Sequence, residues 1–206
     1  MRMSVMGSDG EHALQERFGS DERAQRFYDQ QVLDRLNSRM IDFVRRMEMA
    51  FIATADRRGN CDSSFRAGQP GFLQVIDDRT LAYPEYRGNG VMASLGNIVE
   101  NPHIGILLID FVRDLIGLHI NGSARIVEDV TLRERVPALP SAHHAARGEP
   151  VWVVVEVDEA YIHCRKHIPH LVPAPYSTRD WGTDNVRAKG GDYFAAKATK
   201  HLRPQP

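Results

Sequence analysis

Ser63-Ser64-Phe65-Arg66-Ala67-Gly68-Gln69-Pro70-Gly71-Phe72 and Tyr83-Pro84-Glu85-Tyr86-Arg87-Gly88-Asn89-Gly90 are two glycine-punctuated loops, each carrying one arginine, and the rest of the chain is read from them outward. A strand-like segment lies between them. A short helical pattern follows the second and stops at Asn101-Pro102, and the apolar run Ile104 to Phe111 comes next. Free backbone N–H groups at turns and helix starts suit a bound phosphate when guanidinium forks face the same anion. One arginine on a glycine turn is most often plain surface; two such loops bracketing one strand suit a local anion site. Gly68 and Gly71 serve equally well as turn residues around Pro70, because a turn and a close ligand approach both need an absent Cβ.

The flanking segments read as short strands joined by tight turns. Phe51 to Ala55 is a strand, Arg57-Arg58-Gly59-Asn60 a hairpin turn and Asp62 to Ala67 the returning strand. Gly71 to Ile76 and Thr80 to Tyr83 flank a second hairpin signal at Asp77-Asp78. Val91 to Glu100 reads as a helix with Met92, Leu95, Ile98 and Val99 on its apolar side, ended by Pro102. Ile104 to Phe111 is apolar on both faces, as a central strand is. Leu118 to Val127 alternates cleanly: Leu118, Ile120, Gly122, Ala124 and Ile126 against His119, Asn121, Ser123 and Arg125.

Further out, Leu33, Leu36, Met40, Val44 and Met47 recur at helical spacing, so one amphipathic helix is expected from a Ser20 cap onward. Arg35, Arg39, Arg45 and Arg46 belong on its solvated face. Thr131-Leu132-Arg133-Glu134 matches a capping box. Residues 137–150 read as a connection, with His143-His144 in a loop, and Val151 to Val157 as the last strand. Three units follow: a loose polar arm over 1–19, one domain over 20–170, and a tail over 171–206. Tyr176, Trp181, Tyr193 and Phe194 would dock that tail on a surface. Short strands and hairpin turns in this number predict a mainly β fold with helical additions, an antiparallel barrel whose closure removes exposed edges.

Composition narrows the function classes. The chain has 206 residues, enough for a substantial core. With 26 basic and 27 acidic residues the net charge is −1, which argues against a general nucleic-acid or membrane-surface binder. Cys61 and Cys164 form no disulfide framework, and no apolar run is long enough to span a bilayer. A cytoplasmic protein with reduced thiols is expected.

Three motifs together are similar to the pyridoxamine 5′-phosphate oxidase-like, FMN-binding split-barrel family. They are Phe51-Ile52-Ala53-Thr54-Ala55-Asp56 followed by Gly59; Arg66-Ala67-Gly68-Gln69-Pro70-Gly71-Phe72; and Thr80 to Gly90 leading to Leu95-Gly96-Asn97 and Glu100-Asn101-Pro102. Asn121-Gly122-Ser123-Ala124-Arg125 agrees with them. The resemblance covers about Met47 to Val127. It implies a split barrel that pairs as a homodimer, with FMN between the subunits. Arg66 and Arg87 would hold the FMN phosphate, and Ser64, Tyr86 and Asn89 would add hydrogen bonds. Ala67 and Gly68 would face the isoalloxazine edge through their backbone, and Pro84, Gly88 and Asn97 complete the implied cofactor-binding set.

The implied function is an FMN-dependent oxidoreductase acting on a small molecule, the flavin doing the hydride chemistry. Some relatives carry deazaflavin or haem instead, so a non-catalytic flavin- or tetrapyrrole-binding module is the alternative. True pyridoxamine-phosphate oxidases end in an Arg- and His-bearing segment that receives the substrate phosphate. Tyr161 to His170 offers no clear equivalent, which puts vitamin B6 oxidation in doubt. His163 and Lys166 are the candidate substrate contacts there. Pro169 interrupts the helix that metal binding by His163, Cys164, His167 and His170 would need, so no metal is expected.

Overall fold

Ile52, Ile106, Ile120 and Ala160 stand side by side across four strands and mark the inner face of one antiparallel sheet. All four are buried, while their chain neighbours point outward, as the two-residue period of a strand requires. A computed structural model describes residues 6–86, 88–140, 151–174 and 185–200. The strands are β1 (Met49–Ala55), β2 (Cys61–Ala67), β3 (Gln74–Val75), β4 (Thr80–Glu85), β5 (His103–Ile109), β6 (Gly117–Glu128) and β7 (Val151–His163). Their order in the sheet is β2-β1-β5-β6-β7-β4-β3, and every pairing is antiparallel. The mainly β, antiparallel class is as expected, with β5 central between β1 and β6.

The sheet does not close on itself, contrary to the closed barrel expected from the strand count. β2 is one edge and β3 the other. The open side is filled by apolar side chains: Leu36, Phe43, Val44 and Met47 pack with the inner-face residues of β1, β4, β5, β6 and β7 in the main core. A smaller cluster, Ala82, Leu132, Leu139, Trp152 and Val154, covers the opposite face of β4 and β7. β6 and β7 slip register at Asn121/Gly122. A Cβ at Gly122 would lie 1.9 Å from the Glu156 carbonyl oxygen, so glycine is what permits that close approach.

The helices depart from the sequence reading in several places. The arm expected to be loose holds α1 (Asp9–Phe18), fixed at its start by a Ser8–Glu11 capping box and at its end by Gly19 in the left-handed region. The expected single helix is two, α2 (Asp21–Gln31) and α3 (Ser38–Arg46). Between them Leu33 exchanges backbone hydrogen bonds with Ala160 of β7 (3.0 and 2.8 Å), and Asn37 caps α3 through Met40 N–H. Pairing with the sheet takes the backbone groups that a continuous helix would use. Ser20 makes no side-chain cap.

Arg46 is not on a solvated face: it bonds Asp110 (3.2 Å) and Asp114 and lies over Phe43, with its side chain about one-third exposed. α4 (Ala93–Glu100) begins after Met92, which takes a left-handed conformation, and Val99 is 75% exposed, so its apolar side is narrower than expected. α5 (Asp129–Arg135) starts two residues before the expected capping box. There Asp129 binds Arg133 and the Trp152 indole N–H. In the tail, α6 (Ala196–Lys200) has no buried residue, and Tyr193 and Phe194, 83% and 88% exposed, touch each other. Arg87, His143, His144, Tyr176 and Trp181 lie outside the described residues.

Candidate functional site

The strand period decides what β2 presents inward. Its register against β1 places Ser64 opposite Ile52 and Arg66 opposite Ala50, both inner-face positions, while Phe65 pairs with Phe51 on the outer face. On β4 the same period turns Leu81, Tyr83 and Glu85 inward. α4, which links β4 to β5, brings Ser94 of its first turn over β2. Five polar side chains therefore meet at the open side of the sheet: Asp62, Ser64, Arg66, Glu85 and Ser94.

Arg66 is fully engaged. Its Nε and Nη2 donate to Glu85 Oε2 (3.1 and 2.8 Å), and Nη2 also reaches Ser94 Oγ (3.4 Å). Nη1 donates to Ser64 Oγ and to the Phe65 carbonyl, both at 3.0 Å. A guanidinium has one N–H on Nε and a pair on each Nη, so every donor has a partner. The two serine hydroxyls are 3.0 Å apart, and Ser94 donates to Asp62 Oδ2 (3.1 Å). The ion pair is mostly buried, the side chains being 18% (Arg66) and 8% (Glu85) exposed.

Tyr83 lies two residues before Glu85 on the same face. It is buried, and its hydroxyl has no partner among the described residues. Burial, then the Glu85 charge, pushes its pKa up, with Arg66 pulling the other way. A buried hydroxyl without a partner costs about 1–3 kcal/mol.

In kind, these donors fit a phosphate: a guanidinium fork, two hydroxyls and the first turn of a helix, whose leading N–H groups lack intrahelical partners. In the arrangement seen, the Glu85 carboxylate holds the edge of Arg66 that a phosphate would take. The sequence reading passed over Glu85 and Ser94. The signal for both was the strand and helix periods, which put them on the side of Arg66.

The remaining expected residues make contacts of their own. Asn97 donates from Nδ2 to Thr54 Oγ1 (3.0 Å) and ties α4 to β1. Gly68 N–H bonds the Glu48 carbonyl, and a Cβ there would meet Phe72 Cβ at 2.5 Å, a packing reason for glycine. Ala67 pairs with Met49 and Pro84 with Trp152. Tyr86 is 41% exposed, and burial followed by the Glu85 charge raises its pKa. Gly88 takes a positive φ of 53°, and Asn89 Oδ1 accepts from Val91 N–H.

His163 is on the other face of the sheet from Arg66, and Lys166 is exposed in the 3₁₀ turn Arg165–His167 that follows. His163 Nδ1 is 3.0 Å from His119 Nε2, and His119 stacks on Tyr161 at 4.7 Å. Burial, then His163, lowers the His119 pKa. The same outer face carries the exposed Phe51–Phe65 pair and a shallow groove of about 440 Å³ floored by Ala53, Ala55 and Gly105, with Asn121, Asp158 and Glu159 along it. Among the described residues no group of three or more His, Cys, Asp or Glu side chains could hold a metal ion, and no helix is long and apolar enough to cross a membrane.

A pyridoxamine 5′-phosphate oxidase from Listeria innocua, itself so named only provisionally, has a similar structure at 15% identity and TM-score 0.44, over 60% of this chain and 94% of that one. HutZ, the heme storage protein from Vibrio cholerae, is similar at 15% identity and TM-score 0.42, over 62% and 94%. An F420 reductase is similar at 18% identity and TM-score 0.41, over 58% and 93%. No curated protein sequence matches the chain. The sequence model for pyridoxamine 5′-phosphate oxidase matches residues 36–164, more than half of the chain and all seven strands, and the chain belongs to that family.

Proposed function

We propose that this protein is an FMN-dependent oxidoreductase acting on a small molecule, with the flavin held where two copies of the chain meet. The observation that carries the reading is the convergence of Arg66, Ser64 and Ser94 at the start of α4, inside the stretch matched by the family. Arg66 would hold the phosphate, with Ser64 and Ser94 as hydroxyl donors. Arg87, two residues after Glu85 in the sequence, is the second cation of this reading. When bound, the flavin supplies hydride transfer at its N5; the chain supplies binding, orientation and electrostatics. Exposed Phe51 and Phe65 beside the outer groove supply apolar surface for a second copy of the chain.

The test is the visible spectrum of the purified full chain, before and after adding FMN. Flavin bands that co-migrate with a dimeric protein support the reading, and bleaching by a reductant such as NAD(P)H with recovery of the bands on reoxidation by oxygen establishes turnover. A protein that stays colourless after FMN addition overturns it. A second reading, a non-catalytic tetrapyrrole-binding module, draws on the half-buried His119–His163 pair, since an imidazole on an open face can ligate haem iron. A haem titration with loss of the signal in His119→Ala separates that reading from the first.

A further inference from the structure

The Arg66 fork is held from two sides. Ser64 Oγ and the Phe65 carbonyl hold Nη1, and both belong to the arginine's own strand. The Nε–Nη2 edge is held by one oxygen of Glu85, from a strand separated from β2 by four others in the sheet. Because every guanidinium N–H has a partner, an incoming phosphate gains Arg66 only by evicting one. Ser64 and the Phe65 carbonyl are local, and they keep the fork aimed throughout such an exchange. Glu85 is the charged partner on the edge that offers two parallel N–H groups, the geometry a phosphate takes.

We propose that Glu85 sets the specificity of this anion site: it holds the Arg66 fork against free phosphate and yields only to a phosphate carried by a ligand with a second point of attachment. This rests on the flavin reading above for the identity of that ligand. Free phosphate exchanges one ion pair for another and leaves two like charges side by side, so the exchange brings no gain. A flavin phosphate makes the same exchange, but its ring system adds contacts elsewhere. The Tyr83 hydroxyl, on the same face of β4 and without a partner among the described residues, would receive the displaced carboxylate.

The experiment is calorimetric titration of the full-length protein and Glu85→Gln, each with inorganic phosphate and with FMN, after thermal melts confirm that both are folded. The wild type is expected to bind FMN and give no signal with phosphate. Glu85→Gln is expected to bind FMN about tenfold or more tightly than the wild type and to acquire phosphate binding. Should Glu85→Gln fail to fold, Glu85→Asp, too short to keep the same contact, is expected to shift both affinities the same way. If the wild type binds FMN and the variant binds neither ligand better, the gating role falls and the flavin reading stands. If only the variant takes phosphate and neither binds FMN, the gating role stands and the flavin reading falls. If neither protein binds either ligand, both fall.

Discussion

Arg66 and Glu85 lie on strands separated by four others in the sheet, yet their side chains are 2.8 Å apart. The sheet has curled until β2 and β4 face each other, and the gap left by the missing backbone ladder is crossed by an ion pair. The pair is thus a clasp on the open side of the fold.

The clasp predicts an asymmetry between its two partners. Arg66→Met strands a mostly buried carboxylate and should lower stability by about 3–5 kcal/mol. Glu85→Gln keeps an acceptor oxygen and leaves a cation that Ser64 and the Phe65 carbonyl still hold, so about 1 kcal/mol is expected. Urea unfolding of both variants checks this. Equal losses would mean that the pair does not hold the open side together.

Gly122 and Gly96 make a contrasting test of packing. Alanine at Gly122 would put a methyl group 1.9 Å from a carbonyl oxygen on β7, where neither backbone can give way. A loss of about 3 kcal/mol or more is expected. Gly96, within α4, has nothing within 4 Å of where its Cβ would be, and alanine there should stabilise by about 0.5–1 kcal/mol. Thermal melts of the two variants should move in opposite directions.

The same contrast shows what could be read from the sequence. Strand alternation was plain in Leu118 to Val127, and the inner face follows from it residue by residue. The break between α2 and α3 was hidden, because Leu33 and Leu36 keep helical spacing while the Leu33 backbone pairs with Ala160, more than a hundred residues on. The site was half visible. Glycine turns drew attention to Arg66, but Glu85 becomes its partner only through the curl of the whole sheet, which no local pattern encodes. Arg46 was misplaced for a like reason: its carboxylate partners come from the turn after β5.

A pH dependence follows from His119. Its folded-state pKa is depressed, first by burial and then by His163 beside it; Tyr161 and Asn121 also face it from β7 and β6. The unfolded chain therefore binds a proton more readily than the folded one just below the ordinary histidine pKa of about 6.5. Stability from this group is fully present above that pH and is lost as pH falls toward the depressed folded value. Denaturant midpoints should decline through that window, and His119→Gln should flatten the decline. A profile unchanged by the substitution would remove His119 as its source.

Asn97 can be assigned by comparing it with a residue that cannot touch a ligand on the far side of α4. Its amide donates to Thr54 Oγ1, and Thr54 is 4% exposed, so the bond braces the helix against β1 from inside. Thr54→Val removes the acceptor at nearly constant volume and leaves the amide N–H unpaired, a loss of about 1–3 kcal/mol. Asn97→Ala breaks the same bond and should lower stability by a similar amount. If Asn97 only braces, both variants shift FMN affinity equally, because each loosens the same helix start beneath Ser94. An affinity loss in Asn97→Ala about tenfold beyond that of Thr54→Val, at matched stability, would make Asn97 a direct contact of the ligand instead.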